Sequence, residues 1–152
     1  MIRIPLTRGK YAIVDDLDAK TLLRWKWRYS SKGYAIRSIR VAEGTQTIWM
    51  HREVNRTPPG YDTDHVNMIK LDNRRVNLRT CTRSQNHMNR SLRRDNTSGA
   101  KGVVWHQQRH KWAAYIRLNG HHLYLGLFDT SRAAATAYRS AAKKYHGNFA
   151  RT

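Results

Sequence analysis

Residues 61–89 read YDTDHVNMIKLDNRRVNLRTCTRSQNHMN, and this stretch decides the fold of the middle of the chain. Segments 61–65 and 76–80 have the length of two short strands and flank a polar connection. Thr82 and Gln85 have the spacing of a capping box, in which the two side chains satisfy backbone donors at a helix N-terminus. The stretch therefore predicts a strand, a loop, a second strand and a helix that begins at Arg83.

Polar residues at the end of the first predicted strand have the chemistry of a hydrolytic site. Asp64 and His65 are adjacent, so their side chains diverge, and one can reach a metal ion while the other reaches a water molecule. Asn77 follows on the second strand, Asn86 on the helix and Asn89 one turn further. Phosphodiester hydrolysis needs a base and a divalent cation, and carboxylate and amide oxygens suit Mg²⁺ or Mn²⁺ better than zinc. Each residue alone is more often a turn cap than a ligand, so none of them by itself establishes such a site.

The charge of the chain narrows the class of partner. Its 152 residues include 29 Lys and Arg against 10 Asp and Glu, a formal charge of +19, which excludes most metabolic enzymes of the cytosol. The hydrophobic fraction of 39% is that of a folded protein, so a folded polyanion binder is expected. The basic residues lie among His, Asn, Trp and Tyr in strand-like segments and not on one amphipathic helix, which favours nucleic acid over a membrane surface.

Cysteine usage and the N-terminus bear on location. A single cysteine, Cys81, excludes an intramolecular disulfide and a zinc ribbon. No apolar run reaches the roughly 20 residues that span a bilayer, and the N-terminus is too short and polar for a signal peptide. We therefore expect a cytoplasmic protein that stays in the cell that makes it.

The first 50 residues predict a small α+β unit. Segment 11–14 reads as a strand, and Asp18 can cap a helix that runs through Leu22, Leu23 and Trp25. Two further strands are expected at 34–40 and 46–50, joined by a turn at Gly44. The large aromatic residues of this unit are interpreted as core, with base stacking as the alternative; they are Trp25, Trp27, Tyr34 and Trp49.

The last third of the chain predicts a three-stranded antiparallel sheet packed on one helix. Strands are expected at 102–106, 111–118 and 121–127, with the hairpin signal Asn119-Gly120 between the last two. Alanines and tyrosines then repeat at helical spacing from Ala133 to Tyr145. Strand alternation places Trp112, Ala114 and Ile116 towards this helix. The outward face, which suits a DNA groove or else is a solvated surface, would carry Lys111, Tyr115, Arg117, His122 and Tyr124.

The predicted fold class is therefore α+β, with three segments: an N-terminal α+β unit over 1–50, a strand-loop-strand-helix module over 51–94 and the sheet-and-helix domain over 95–152. Residues 91–99 are polar, basic and end in glycine, so they are interpreted as a linker that lies along DNA.

The middle segment resembles a known nuclease family. The motifs DHVN at 64–67, LDNRRVNLR at 71–79 and QN at 85–86 resemble the signature of the HNH (ββα-metal) homing endonucleases of bacteriophages and introns. The lead-in MHR at 50–52 and the Pro-Gly pair at 59–60 are similar to that family as well, so the resemblance covers residues 50–90.

This resemblance implies a role for each residue of the motif. His65 would be the general base that activates water, Asp64 and Asn86 would bind one Mg²⁺ or Mn²⁺ ion per active site, and Asn77 would orient the His65 ring through a hydrogen bond. The family's last histidine is Asn86 here, which weakens the affinity for zinc and nickel. Asp72 and Asn73 would shape the loop, and His87 would be a surface or phosphate-contacting residue and not a metal ligand. Phosphate contacts are expected from Arg74, Arg75 and Arg79, and from Arg90, Arg93 and Arg94 in the linker.

The C-terminal segment has a resemblance of its own. The motifs KGV at 101–103, KWAAYIR at 111–117, YLGLFDT at 124–130 and AAATAY at 133–138 resemble the Apetala-two domain of plant ethylene-response factors. That family lays its sheet in the major groove, which implies the following DNA contacts: Lys101, His106, Tyr115, Arg117, His122 and Tyr124. Several arginines of the plant pattern are replaced here, one of them by Val104, so the plant recognition sequence does not carry over.

The sequence therefore predicts a site-specific, metal-dependent DNA endonuclease of the homing type that leaves 5′-phosphate and 3′-hydroxyl ends. Its expected partner is double-stranded DNA, without a membrane or small-molecule substrate, in the cytoplasm of a phage's bacterial host. We expect a monomer on DNA, and a dimer stays open. The alternatives are a DNA-binding regulator that keeps the nuclease fold as an inactive scaffold, and a nuclease without sequence preference.

Overall fold

The structure is a computed structural model that describes residues 1–92, 94–118 and 120–151. Its α+β class is the predicted one. Asn119 of the predicted hairpin turn lies outside the described residues, and so does Arg93 of the linker. The strands and α-helices are, in order, β1 (Ile2–Pro5), β2 (Tyr11–Val14), α1 (Asp16–Leu22), β3 (Arg28–Tyr29), β4 (Ala35–Val41), β5 (Gly44–Trp49), α2 (Met50–Asn55), β6 (Asp62–His65), β7 (Leu78–Cys81), α3 (Arg83–Met88), β8 (Val103–His106), β9 (Lys111–Leu118), β10 (His121–Phe128) and α4 (Ser131–His146).

The chain divides into two compact units, Met1–Asn86 and His87–Thr152. The first unit has three antiparallel sheets. One joins β1 to β2, one has the strand order β3-β4-β5, and one joins β6 to β7. One hydrophobic cluster runs from Ile4 of β1 through Met50 of α2 to Leu78 of β7, so segments 1–50 and 51–86 share a core. The division into three functional segments stays a prediction.

The N-terminal unit differs from its prediction at α1. The helix begins at Asp16 and ends at Leu22, so Asp18 is not its cap but lies in its first turn. Asp15 takes the N-cap position, and the Asp18 carboxylate instead accepts from Nε and Nη2 of Arg75 at 2.8 and 2.6 Å. Trp27 is buried as predicted, whereas Trp25 lies beyond the helix and is 49% exposed. The Trp25 ring packs instead against the Arg37 guanidinium, 4.5 Å from the ring centroid.

The strand-loop-strand-helix order is confirmed, with one shift. A 3₁₀ turn over Arg75–Asn77 precedes β7, so the second strand begins at Leu78 and not at Val76, whose side chain is 84% exposed. The capping box is present: the Thr82 amide donates to Gln85 Oε1 at 2.8 Å, and the Gln85 amide donates to Thr82 Oγ1 at 3.2 Å. The helix α3 therefore begins where its sequence signal predicts.

The second unit is the predicted sheet on one helix. The strand order is β10-β9-β8, and α4 is capped by the Thr130 hydroxyl, which accepts from the Ala133 amide at 3.1 Å. Ala114 and Ile116 are buried and Trp112 is partly buried against the small residues of α4, as predicted. Gly102 has a φ of +63°, and a Cβ there would lie 2.1 Å from the Tyr115 carbonyl oxygen, so this close approach requires glycine. No helix in the described part of the chain is long and apolar enough to cross a membrane.

Candidate active site

The hairpin β6–β7 determines which side chains meet. Asp62 faces Cys81 and Asp64 faces Arg79 across the hairpin, and these four residues share one face by strand alternation. His65 pairs with Leu78 on the other face. The divergence of Asp64 and His65 that the sequence predicts is therefore present.

His65 is buried, and its ring makes a hydrogen bond to the loop. Its Nε2 lies 3.0 Å from Asn73 Oδ1. An amide oxygen can only accept, so Nε2 carries the proton and the lone pair of the neutral ring is on Nδ1. The structure thus assigns Asn73 to the orienting role.

The prediction that Asn77 orients His65 is therefore corrected. Both ends of the Asn77 amide bind the loop: Oδ1 accepts from the Asn67 amide at 2.9 Å, and Nδ2 donates to the Asp72 carbonyl at 2.7 Å. Asp72 in turn accepts from Asn67 Nδ2 at 2.8 Å, so Asp72 shapes the loop as predicted. Asn77 acts on the site by closing the loop that carries Asn73.

The loop is also fastened to the N-terminal strands. The Ile13 amide donates to Leu71 O and the Asn73 amide donates to Ile13 O, both at 2.7 Å. Asn73 is fully buried beside this bridge, which holds its backbone. The position of the orienting amide thus depends on a strand that lies about 60 residues earlier in the chain.

A second histidine, which the sequence prediction missed as a site residue, packs on His65. The centroids of the His51 and His65 rings are 5.2 Å apart, and Tyr34 lies 5.0 Å from His51 and 6.0 Å from His65. Trp49 completes this cluster at 5.8 Å from His51. The signal was available in the MHR lead-in, but nothing in the sequence alone shows that His51 points at His65.

Burial controls the charge of both histidines. It lowers the pKa of His51 to about 3, with the neighbouring His65 and Arg52 acting in the same direction. Burial also lowers the pKa of His65, whereas the hydrogen bond that its ring donates to Asn73 and the charges of Asp64 and Asp72 raise it. Both rings are therefore neutral at pH 7, and a neutral imidazole is the form that accepts a proton.

Asp64 is buried and bound by an arginine. Arg79 donates from Nε and from Nη2 to the same oxygen, Asp64 Oδ2, at 2.8 and 2.6 Å. Side-chain exposure is 7% for Asp64 and 19% for Arg79. Arg79, predicted to contact phosphate, thus binds the predicted metal ligand in this structure.

Asn86 is oriented by a carboxylate that the sequence prediction did not single out. Its Nδ2 donates to Asp62 Oδ2 at 3.0 Å, so its carbonyl Oδ1 is directed away from Asp62. The oxygens of Asp64 and Asn86 fit a hard divalent cation in kind. In the described part of the chain no three His, Cys, Asp or Glu side chains are grouped to hold an ion.

The predicted DNA-contacting residues fall into two sets. Some are engaged within the protein: Arg74 binds Asp72 at 2.7 and 2.6 Å, Arg75 binds Asp18, and half-buried Lys101 donates to the Met88 carbonyl at 2.9 Å. Burial, together with Arg151, lowers the pKa of Lys101 to about 8. Lys101 thus makes a hydrogen bond within the protein, and its contact with DNA stays a prediction.

Of the remaining residues, four lie on the outward face of β9 and β10 as predicted. Tyr115 pairs with Tyr124, their rings 5.4 Å apart, and Arg117 pairs with His122. Arg117 Nε donates to the Gly120 carbonyl at 3.2 Å. Arg90 and Arg94 are exposed, and His106 is half-buried.

Comparison with known proteins shows which family the chain belongs to. The HNH endonuclease family model matches residues 47–88, which contain the hairpin, the loop and α3. Protein 3.8 of Escherichia phage T7 is 32% identical over 94 residues, which are 62% of this chain and 77% of that protein. The chain belongs to the HNH endonuclease family. An uncharacterized HNH endonuclease of Acanthamoeba polyphaga mimivirus is 26% identical to this HNH endonuclease over 149 residues, 94% of the chain and 74% of the viral protein.

A C-terminal region of this HNH endonuclease is similar to plant proteins. The Dehydration-responsive element-binding protein 2D of Arabidopsis thaliana is 49% identical over 55 residues, 35% of this chain. An AP2-like ethylene-responsive transcription factor of the same plant is 41% identical over 54 residues. The chain spans only 27% and 11% of these two proteins, so the likeness concerns one domain of each.

Proposed function

We propose that this HNH endonuclease is a site-specific, divalent-metal-dependent DNA endonuclease of the homing type, which leaves 5′-phosphate and 3′-hydroxyl ends. One observation carries the proposal: a neutral His65, oriented by Asn73, lies next to Asp64 in the segment that the family model matches.

In the proposed reaction His65 is the general base. Its Nδ1 takes a proton from a water molecule, whose oxygen forms a bond to phosphorus while the bond from phosphorus to the 3′-oxygen breaks. The departing 3′-oxygen takes a proton from solvent and becomes the hydroxyl. Asn73 keeps the proton on Nε2, so the basic nitrogen is Nδ1.

Asp64 and Asn86 would hold one Mg²⁺ or Mn²⁺ ion. The ion, when bound, stabilises the charge on phosphorus and on the leaving oxygen. The hydrogen bond from Asn86 Nδ2 to Asp62 supports this assignment, because it leaves the amide oxygen as the atom that is presented to a cation.

The sheet of the second unit would bind double-stranded DNA through its outward face. Tyr115 and Tyr124 supply flat apolar surface, and Arg117 and His122 supply donors for phosphates or base edges. The likeness to a plant protein named as a dehydration-responsive element-binding protein supports this role. Linking a reading domain to a cutting module raises the effective concentration of the active site at its target.

The proposed setting is the cytoplasm of a phage-infected bacterium, which the likeness to a phage T7 protein supports. One active site per chain favours a monomer that nicks one strand. A dimer or two sequential nicks would give a double-strand break.

A plasmid assay tests the proposal. Supercoiled plasmids carrying segments of the source genome are incubated with the full chain and Mg²⁺, Mn²⁺ or EDTA. We expect conversion to the open-circular form at one discrete site, only with metal, and its loss in His65→Ala but not in His121→Ala, a control that removes an exposed histidine.

A second function has one observation in its favour. The ion pair between Arg79 and Asp64 is the arrangement expected of a DNA-binding regulator whose nuclease scaffold no longer takes a metal. Folded protein that shifts the plasmid fragments in a gel but never cuts them, with either metal, would establish the regulator. Cutting at many unrelated positions would establish a nuclease without sequence preference.

A further inference from the structure

The ion pair between Arg79 and Asp64 is built into the hairpin. The two residues are direct partners across β6–β7, so the strand register keeps their side chains on the same face at all times. Two guanidinium donors converge on one carboxylate oxygen, and both side chains are largely shielded from water. Such a charge-assisted pair is short and strong compared with an exposed one.

A divalent cation at Asp64 would meet this guanidinium. Like charges repel, and the repulsion is large where water is excluded. The cation must therefore compete with Arg79 for the carboxylate, which makes binding of metal alone unfavourable. A phosphodiester can take Arg79 away from Asp64, because a guanidinium fork matches the geometry of phosphate oxygens as well as that of a carboxylate.

We propose that Arg79 is a positioning residue that occupies Asp64 until DNA is bound. The inference rests on the proposed metal role of Asp64. The scissile phosphate draws the guanidinium from the carboxylate, Asp64 becomes available to the cation, and Arg79 then holds the phosphate. Binding of DNA and binding of metal consequently strengthen each other by the same factor, as linkage requires.

The test measures metal binding and not cutting. Mn²⁺ affinity is determined by electron paramagnetic resonance on the full chain carrying His65→Ala, so that DNA stays intact. It is measured with and without a duplex of 40 base pairs at low salt. We expect the duplex to tighten Mn²⁺ binding about tenfold, within the range typical of coupled sites.

The substitution Arg79→Gln measures the effect of Arg79 on Mn²⁺ affinity. Arg79→Gln should bind Mn²⁺ about tenfold more tightly than its parent in the absence of DNA, and the duplex should add little further. Arg132→Gln, which removes an equal charge from an exposed position of α4, should leave both affinities unchanged. The duplex effect in the parent protein is a second measurement that holds even if Arg79→Gln fails to fold.

The outcomes separate this inference from the proposed function. If Mn²⁺ binds in a manner that Asp64→Asn abolishes, but neither the duplex nor Arg79→Gln changes its affinity, the role of Arg79 is overturned and the metal site stands. If no Mn²⁺ binds with or without the duplex, the metal site and the inference are both overturned.

Discussion

Replacing Asn73 separates the orientation of His65 from the stability of the loop. In Asn73→Ala the His65 ring loses the bond at 3.0 Å that fixes its plane and its tautomer. The buried Nε2–H of His65 is then left without an acceptor, which costs about 1–3 kcal/mol. The cost is largest for the imidazolium that would form in the transition state, because its N–H is the stronger donor. At about 1.4 kcal/mol for each tenfold, we expect kcat to fall by about 5- to 150-fold with little change in KM.

The substitution Asn73→Asp gives a signature that simple loss of structure does not. A carboxylate at this position would stabilise the imidazolium and raise the pKa of His65. Because the proposed base, His65, acts in its neutral form, the acidic limb of the pH–rate profile should move to higher pH. The assay is the initial rate of plasmid nicking between pH 5 and pH 9, with thermal unfolding followed in parallel.

Asn77 provides the matched control. It is buried in the same loop and makes two hydrogen bonds, but neither is to His65. Asn77→Asp should lower the melting temperature and leave the acidic limb in place. The assignment of Asn73 as the orienting residue would be refuted if Asn77→Asp moved the limb as Asn73→Asp does, or if Asn73→Asp did not move it.

Three further predictions concern stability and DNA binding. The pKa of His51 is about 3 in the folded state and 6.5 in the unfolded chain. Between these two values only the unfolded chain protonates His51, so the free energy of unfolding falls by up to about 1.4 kcal/mol for each pH unit below 6.5. His51→Phe should flatten this decline in urea melts, and an unchanged slope would show that other groups cause it. Gly102→Ala should destabilise the second unit by about 2 kcal/mol or more, because its Cβ would meet the Tyr115 carbonyl at positive φ. A melting temperature within about 1 °C of the parent's would contradict the close approach. Arg117→Gln should reduce the slope of log affinity for DNA against log salt by about 1, whereas an unaltered slope would remove Arg117 from the phosphate contacts.

The sequence by itself determined the features that depend on local pattern. Strand length, the capping box at Thr82 and the hairpin of the second unit follow from side-chain period and turn chemistry within a few residues. The divergence of Asp64 and His65 is of this kind as well, because adjacent side chains on a strand must point to opposite faces. The HNH motif itself is a spacing pattern, so it could be recognised without coordinates.

Only the tertiary structure decided which partner each polar group takes. The loop between β6 and β7 has no periodicity, and Asn73 reaches His65 because Ile13, far away in the chain, holds the backbone of residues 71 and 73. His51 touches His65 through the packing of α2 on β6, and Arg79 covers Asp64 through the register of the hairpin. Hydrogen bonds and ion pairs of this kind are chosen by distance after the chain has closed, and sequence spacing does not encode that distance.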